Sequence, residues 1–204
     1  MTHSRAALDE SSIGLTWVID DAIARASHAL VDQGRVWFID PTDEPAALER
    51  SLALGRPVAV VQLLDRHNRD CAMLAERLGI PHLKVPAALP DTPFEVIPLV
   101  NTCFWREVAL WWAEARVMVV AEAIGTHPAM YAPDSMGAGV HIGRRLWPPR
   151  RLAAYEPEHL LVGHGAALHG SGASAALHEA ISRSRRDLPR AILALPRVLA
   201  HTRR

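Results

Sequence analysis

A layered α/β fold with mixed β-sheets is what the sequence predicts, and three observations predict it. Strand-like runs alternate with helix-like ones along the chain. Several neighbouring strand-like runs are joined by turns too short for a helix, so they pair as hairpins. The run at 57–64 is apolar without interruption, the mark of a strand buried on both faces. A purely parallel sheet needs a crossover connection between its strands, and the hairpins rule that out.

The elements follow in order. Runs at 27–31 and 35–39 flank Asp32-Gln33-Gly34 and read as a hairpin turned at Gly34. Asp40-Pro41 ends the second strand, and Thr42 or Asp43 can cap a helix over 44–54 that Gly55 closes. The buried strand at 57–64 runs into a polar loop, 65–69, and then a helical pattern from 71 to 78 ended by Gly79. A short strand at 82–85 and a Pro-rich turn at 86–93 precede strands at 94–100, 107–112 and 116–120, the last two joined as a hairpin through Ala113-Glu114-Ala115. Residues 126–151, rich in Gly, Pro and Met, read as an irregular loop with a short helix. A strand at 159–162 leads into Gly163-His164-Gly165, and a helical tail from about 174 is interrupted by Pro189 and Pro196. Residues 1–26 are assigned to an N-terminal extension and 171–204 to a C-terminal helical tail of a single domain.

Composition bounds the function. Half of the 204 residues are hydrophobic, enough for one packed core and too many for a disordered chain. No stretch approaches the ~20 apolar residues of a membrane helix, and the N-terminus does not read as a signal peptide. The expectation is a cytoplasmic protein with no membrane partner. The two cysteines, Cys71 and Cys103, read as free thiols. The net charge of zero hides a split: residues 1–140 hold 11 basic and 18 acidic side chains, residues 141–204 hold 11 and 4. The two parts either balance each other or leave an Arg-rich surface for an anionic partner. Aromatic residues make up 5% of the chain and do not interleave with the basic ones, so no nucleic-acid partner is expected.

A polar loop at the end of a buried strand is where such folds place chemistry. The order from 36 to 165 is Val-Trp-Phe-Ile-Asp-Pro, a helix, a buried strand, Arg66-His67-Asn68-Arg69-Asp70-Cys71, a hairpin ending Val119-Val120-Ala121-Glu122, and Leu160-Leu161-Val162-Gly163-His164-Gly165. This resembles the metallo-β-lactamase superfamily, whose αββα sandwich of two mixed β-sheets flanked by helices carries a hydrolytic site with one or two metal ions. The resemblance spans about residues 27–170.

The family motif His-x-His-x-Asp-His is eroded here. By the resemblance its first two histidines fall on Arg66 and Asn68, its aspartate on Asp70 and its last histidine on Cys71. The third histidine falls on or near Asn101, the bridging aspartate on Glu122 and the final histidine on His164. The three histidines of the first metal are therefore absent. The second site retains a carboxylate, a thiol, a carboxylate and an imidazole in Asp70, Cys71, Glu122 and His164, all competent for zinc, or for manganese or iron. The implied protein is a hydrolase with at most one ion, cleaving an ester, thioester or amide. Asp70 or Glu122 would act as general base and Arg66 would hold an anionic group of a small-molecule substrate. The alternative is a metal-free relic binding a small anion, and a third reading makes Cys71 a nucleophile beside His164. His67, one residue past the first motif position, turns inward if the loop bulges. His127, His141 and His169, with Trp105 and Trp147, lie in loops near the expected mouth.

Overall fold

A computed structural model describes residues 6–67 and 69–193. Besides a further helical stretch at 188–193, the described residues hold thirteen strands and three helices. In chain order they are β1 (Ala6–Ser11), β2 (Gly14–Ile19), β3 (Ala26–Asp32), β4 (Arg35–Ile39), α1 (Pro45–Ala53), β5 (Arg56–Gln62), α2 (Cys71–Leu78), β6 (His82–Lys84), β7 (Phe94–Asn101), β8 (Arg106–Trp112), β9 (Val117–Val120), β10 (Ile124–Gly125), β11 (Gly139–Val140), β12 (His159–Val162), β13 (Leu168–His169) and α3 (Gly172–Arg183). Short 3-10 turns stand at Ile142–Arg144 and Arg150–Ala154.

Two mixed sheets face each other. The first runs β1-β2-β3-β4-β5-β6, antiparallel through β4 and parallel from β4 to β6. The second runs β13-β12-β9-β8-β7, with β9 and β12 parallel and the other pairs antiparallel. Side-chain alternation explains the layers. Trp37 and Ile39 of β4 point between the sheets, whereas Val36 and Phe38 point out against α1 and α2. Val117 and Val119 of β9 likewise face inward with Leu161, and Met118 and Val120 face α3. Because both faces of these strands are covered, their sequences read as continuous apolar runs. Each fully buried large side chain contributes ~1.5–3 kcal/mol. The result is the expected sandwich, helix over sheet over sheet over helix.

Local signals explain the boundaries. Gln33 and Gly34 both take positive φ, 49° and 70°, the backbone of a two-residue hairpin turn matched to strand twist. α2 begins at Cys71 and ends against Gly79 at φ 65°, a left-handed cap. In α3, Ala173, Ala176, Leu177, Ala180 and Ile181 fall on one helical face and pack on the second sheet.

The first 26 residues are more than an extension. β1 and β2 complete the first sheet, with Trp17 fully buried and its indole N–H donating to Thr42 Oγ1 at 2.9 Å. The expected interruption at Pro196 lies outside the described residues. No described helix is long and apolar enough to cross a membrane.

Candidate metal centre

The C-terminal ends of the parallel strands, β4 and β5 in one sheet and β9 and β12 in the other, open onto one cleft. Each delivers a polar side chain: Asp40 after β4, His67 after β5, Glu122 after β9 and His164 after β12. One ligand atom from each of His67, Glu122 and His164 lies within 4.8 Å of the others. His67 Nε2 is 3.3 Å from His164 Nε2 and 3.4 Å from Glu122 Oε2.

The other ring nitrogens are already committed. His67 Nδ1 lies 3.4 Å from Asp40 Oδ2, and His164 Nδ1 lies 3.0 Å from the Ile23 carbonyl oxygen. A carboxylate and a carbonyl only accept, so each Nδ1 carries the hydrogen. His164 Nε2, and His67 Nε2 while that ring is neutral, then presents a lone pair, whereas a proton on His67 Nε2 donates to Glu122 Oε2 or to His164 Nε2. With both rings neutral, two lone pairs 3.3 Å apart repel, and either a proton or a metal ion between them removes the repulsion. Burial opposes charge on His67, but hydrogen bonds to Asp40 and Glu122 outweigh it and raise its pKa above the ordinary imidazole value. Burial and the charge on His67 push His164 down to about 4. Burial works against the Glu122 carboxylate, yet its imidazole neighbours, His67 first, hold its pKa down at about 2.

Supporting contacts fix this arrangement. Asp40 Oδ1 accepts the Leu63 N–H at 3.0 Å, so the carboxylate is oriented before it meets His67. Glu107 is fully buried. Its Oε1 accepts the N–H groups of Glu122 and Ala123, both at 2.8 Å, and its Oε2 accepts the Trp105 indole N–H at 2.8 Å. Burial raises the Glu107 pKa against those three donors. His141 Nδ1 accepts the Gly143 N–H, so its Nε2 carries the hydrogen and lies 3.2 Å from Glu122 Oε1. Burial lowers the His141 pKa. Gly165, at φ 101°, lets the chain turn beneath His164. A Cβ there would fall 2.5 Å from the His127 backbone nitrogen.

The residues expected from the sequence separate into two groups. Glu122 and His164 meet as expected. Asp70 and Cys71 do not join them, and His67 takes their place. Asp70 Oδ2 instead accepts the Asp43 N–H at 2.8 Å, tying the start of α2 to the turn before α1. Cys71 is fully buried in the apolar layer between the first sheet and its helices, where burial pushes its thiol pKa far up; neither ligation nor the nucleophile reading has an exposed thiolate to use. The cause is a turn at 64–67, closed by His67 N–H to Leu64 O at 3.1 Å, which swings His67 inward by one position.

The same turn leaves Arg66 at the rim, its side chain 45% exposed, stacked 4.2 Å over Trp105 and 3.9 Å from Glu122. A guanidinium is thereby spared the full cost of burial. Asn68 lies outside the described residues, and Asn101 is exposed at the end of β7. Of the loop histidines, His141 reaches Glu122, and His127 lines a cavity of about 240 Å³ beside the cluster with Ile23, Met130, Ile142 and Arg145. His169 lies elsewhere, against His159 and Asp9. Trp105 is at the mouth, and Trp147 is exposed.

Sequence reading did not single out Asp40, Glu107 or Arg69. Arg69, at positive φ, donates through its guanidinium to the carbonyls of Ala26, Asp40 (2.9 Å) and Gly163 (2.8 Å), and burial lowers its pKa. A carboxylate ending one apolar strand and another opening the next were the available signals for Asp40 and Glu107.

No protein-family model and no curated protein matches the sequence. Solved structures do. The DIM-1 metallo-β-lactamase aligns over 89% of this chain and 98% of its own, at 14% identity and a TM-score of 0.57. The fold is that of the metallo-β-lactamases. VMB-1 aligns over 93% and 99%, at 10% identity and TM-score 0.58, and TMB-1 over 92% and 98%, at 11% and 0.53. At such identities the shared property is the fold, and the sandwich here carries its candidate metal ligands beyond the ends of three of its parallel strands, β5, β9 and β12.

Proposed function

We propose that this chain is a metal-dependent hydrolase with one divalent ion, zinc or alternatively manganese or iron, held by His67, Glu122 and His164. The observation that carries the reading is the facing pair of Nε2 atoms, 3.3 Å apart with both Nδ1 positions committed elsewhere. Two imidazoles and a carboxylate suit the donor set of a catalytic zinc that keeps a position open. A His–carboxylate contact such as that between His67 and Asp40 is the usual support of a ligating imidazole.

A bound dication supplies Lewis acidity, polarising an ester, thioester or amide carbonyl and making a water molecule easier to deprotonate. The chain's own residues do the rest. Asp40 and the Ile23 carbonyl keep both Nε2 atoms aimed into the cleft. His141, neutral through burial, carries its hydrogen on Nε2 beside Glu122 Oε1 and is placed to hydrogen-bond an oxygen on which negative charge develops. Arg66, half in water over Trp105, meets an anionic part of a small-molecule substrate.

The test is metal content. Full-length protein dialysed against zinc, manganese or iron is expected to retain about one equivalent of one of them, and H67A or H164A to retain none. C71S and D70N are expected to keep it. A stoichiometry far below one per chain, with normal folding, defeats the reading. It leaves the second one: a metal-free relic in which His67, protonated on both nitrogens, faces Asp40 through Nδ1 and Glu122 and His164 through Nε2.

A further inference from the structure

The charge split finds its site away from the metal centre. The segment 141–151 holds Arg144, Arg145, Arg150 and Arg151. Three of them, Arg144, Arg150 and Arg151, line a cavity of about 230 Å³ whose other walls are Pro98, Leu99, Pro148 and Pro149. No acidic side chain lines it. Among the described residues these three guanidinium groups make no ion pair and no side-chain hydrogen bond, and the buried Nε of Arg144 has no partner. No Asp or Glu lies outside the described residues that could supply one.

That pattern is unlike the rest of the molecule. Arg183, on α3, is held by Asp134, Glu179 and Asp187 together, and Arg77 by a two-pronged contact with Asp43. Most other described guanidiniums meet a carboxylate or a backbone carbonyl, whereas here three gather around one concavity with no carboxylate among them. Like charges brought together repel, and a buried donor without an acceptor costs ~1–3 kcal/mol. A bound anion with several oxygens removes both penalties. The planar forks of arginine suit phosphate oxygens in pairs.

We infer that Arg144, Arg150 and Arg151 form an anion site for the phosphate or pyrophosphate group of a small molecule. The small concavity between proline walls favours a compact group over a polymer, and no aromatic side chain lines it for bases to stack on. The site also has a route to the candidate metal centre. Arg144 lies 6.0 Å over the face of Trp105, whose ring also carries Arg66 at 4.2 Å and meets His141 edge-on at 5.3 Å. A ligand anchored by its phosphates in the arginine cavity thus lies one tryptophan away from Glu122. The anion site itself does not depend on any ion at His67, Glu122 and His164.

Calorimetric titration of the chelator-treated full chain with inorganic phosphate and with pyrophosphate, at low ionic strength, tests the assignment independently of metal. Saturable binding is expected, tighter for pyrophosphate, and weakened roughly tenfold for each arginine replaced in R150Q and R150Q/R151Q. Both positions are exposed, so the thermal midpoint should hold. R150K/R151K, which keeps charge and loses the fork, should fall between the two. R50Q/R56Q, with the same change in net charge on another face, should bind as the unmodified chain does. Equal loss in R50Q/R56Q, no loss in R150Q/R151Q, or no saturable binding overturns the site. A single-stranded oligonucleotide that binds more tightly than pyrophosphate overturns the small-ligand assignment.

Discussion

The protein contains two close histidine pairs, each with a carboxylate, and they are built to opposite ends. In one, His67 and His164 meet with ring centroids 5.3 Å apart, and in the other, His159 and His169 meet at 4.9 Å across β12 and β13. The inventories are nearly the same; the hydrogens differ. His169 Nε2 donates to Asp9 at 3.0 Å, leaving Nδ1 to accept from His159 Nδ1 at 2.6 Å, so a chain of donors and acceptors closes on itself at the surface. At the other pair both Nδ1 atoms face acceptors, and the two Nε2 atoms confront each other beside Glu122 in a partly buried cleft, where only a shared proton or a cation can satisfy them. Residue type does not make a ligand site. What the far nitrogen touches decides it.

The largest effect should come from breaking one pair and then the other. H164A or H67A is expected to take bound metal from about one equivalent to none, while H159A/H169A leaves it unchanged, as measured by elemental analysis after equilibrium dialysis. Metal loss in H159A/H169A would erase the distinction. Next in size is the support of a single nitrogen. D40N keeps the shape beside His67 but not the charge, and metal affinity should fall about 10- to 100-fold in competition with a chromophoric chelator.

A solitary histidine sharpens the contrast by bonding to neither an acid nor a twin. His28 is fully buried between Thr16 Oγ1 at 2.9 Å and the Val162 carbonyl at 3.1 Å, and burial depresses its pKa from 6.5 to about 4. The unfolded chain binds this proton more readily than the folded one. Its contribution is therefore complete above pH 6.5 and is lost as pH falls through the window from 6.5 to about 4. The loss approaches ~3 kcal/mol, and urea midpoints at pH 7.5 and 4.5 should show it, with a smaller difference in H28Q. The smallest effect belongs to the exposed pair: H169A should change stability by no more than about 1 kcal/mol in the same assay.

Sequence gave away the fold through periodicity and turns. α2 starts and stops where Cys71 and Gly79 place it, and the hairpin at Gly34 stands where its turn residues are. β1 was not legible because Ala6-Ala7-Leu8-Asp9-Glu10-Ser11 has no alternation and, as an edge strand, stays largely exposed. At the site, Glu122 and His164 were legible because each follows a regular strand, where position in the motif and position in space agree. His67 differed because a four-residue turn shifts the facing by one residue, and spacing alone does not reveal such a shift. Asp40 and Arg69 act through backbone groups far away in the chain, which leave no pattern in a single sequence.

Arg69 carries one more consequence. Its guanidinium holds carbonyls from the start of β3, the end of β4 and the end of β12, joining both sheets at the point from which His164 projects. The Arg25–His164 bridge and the Ala26 N–H to Gly163 O bond at 2.9 Å stitch the same seam. Local breathing of the cleft would have to break this stitching, so the cleft and the sandwich form one cooperative unit. Amide hydrogens of Ala26 and Gly165 should exchange at the rate of global unfolding, while those of the 3-10 turn at Ile142–Arg144 exchange far sooner.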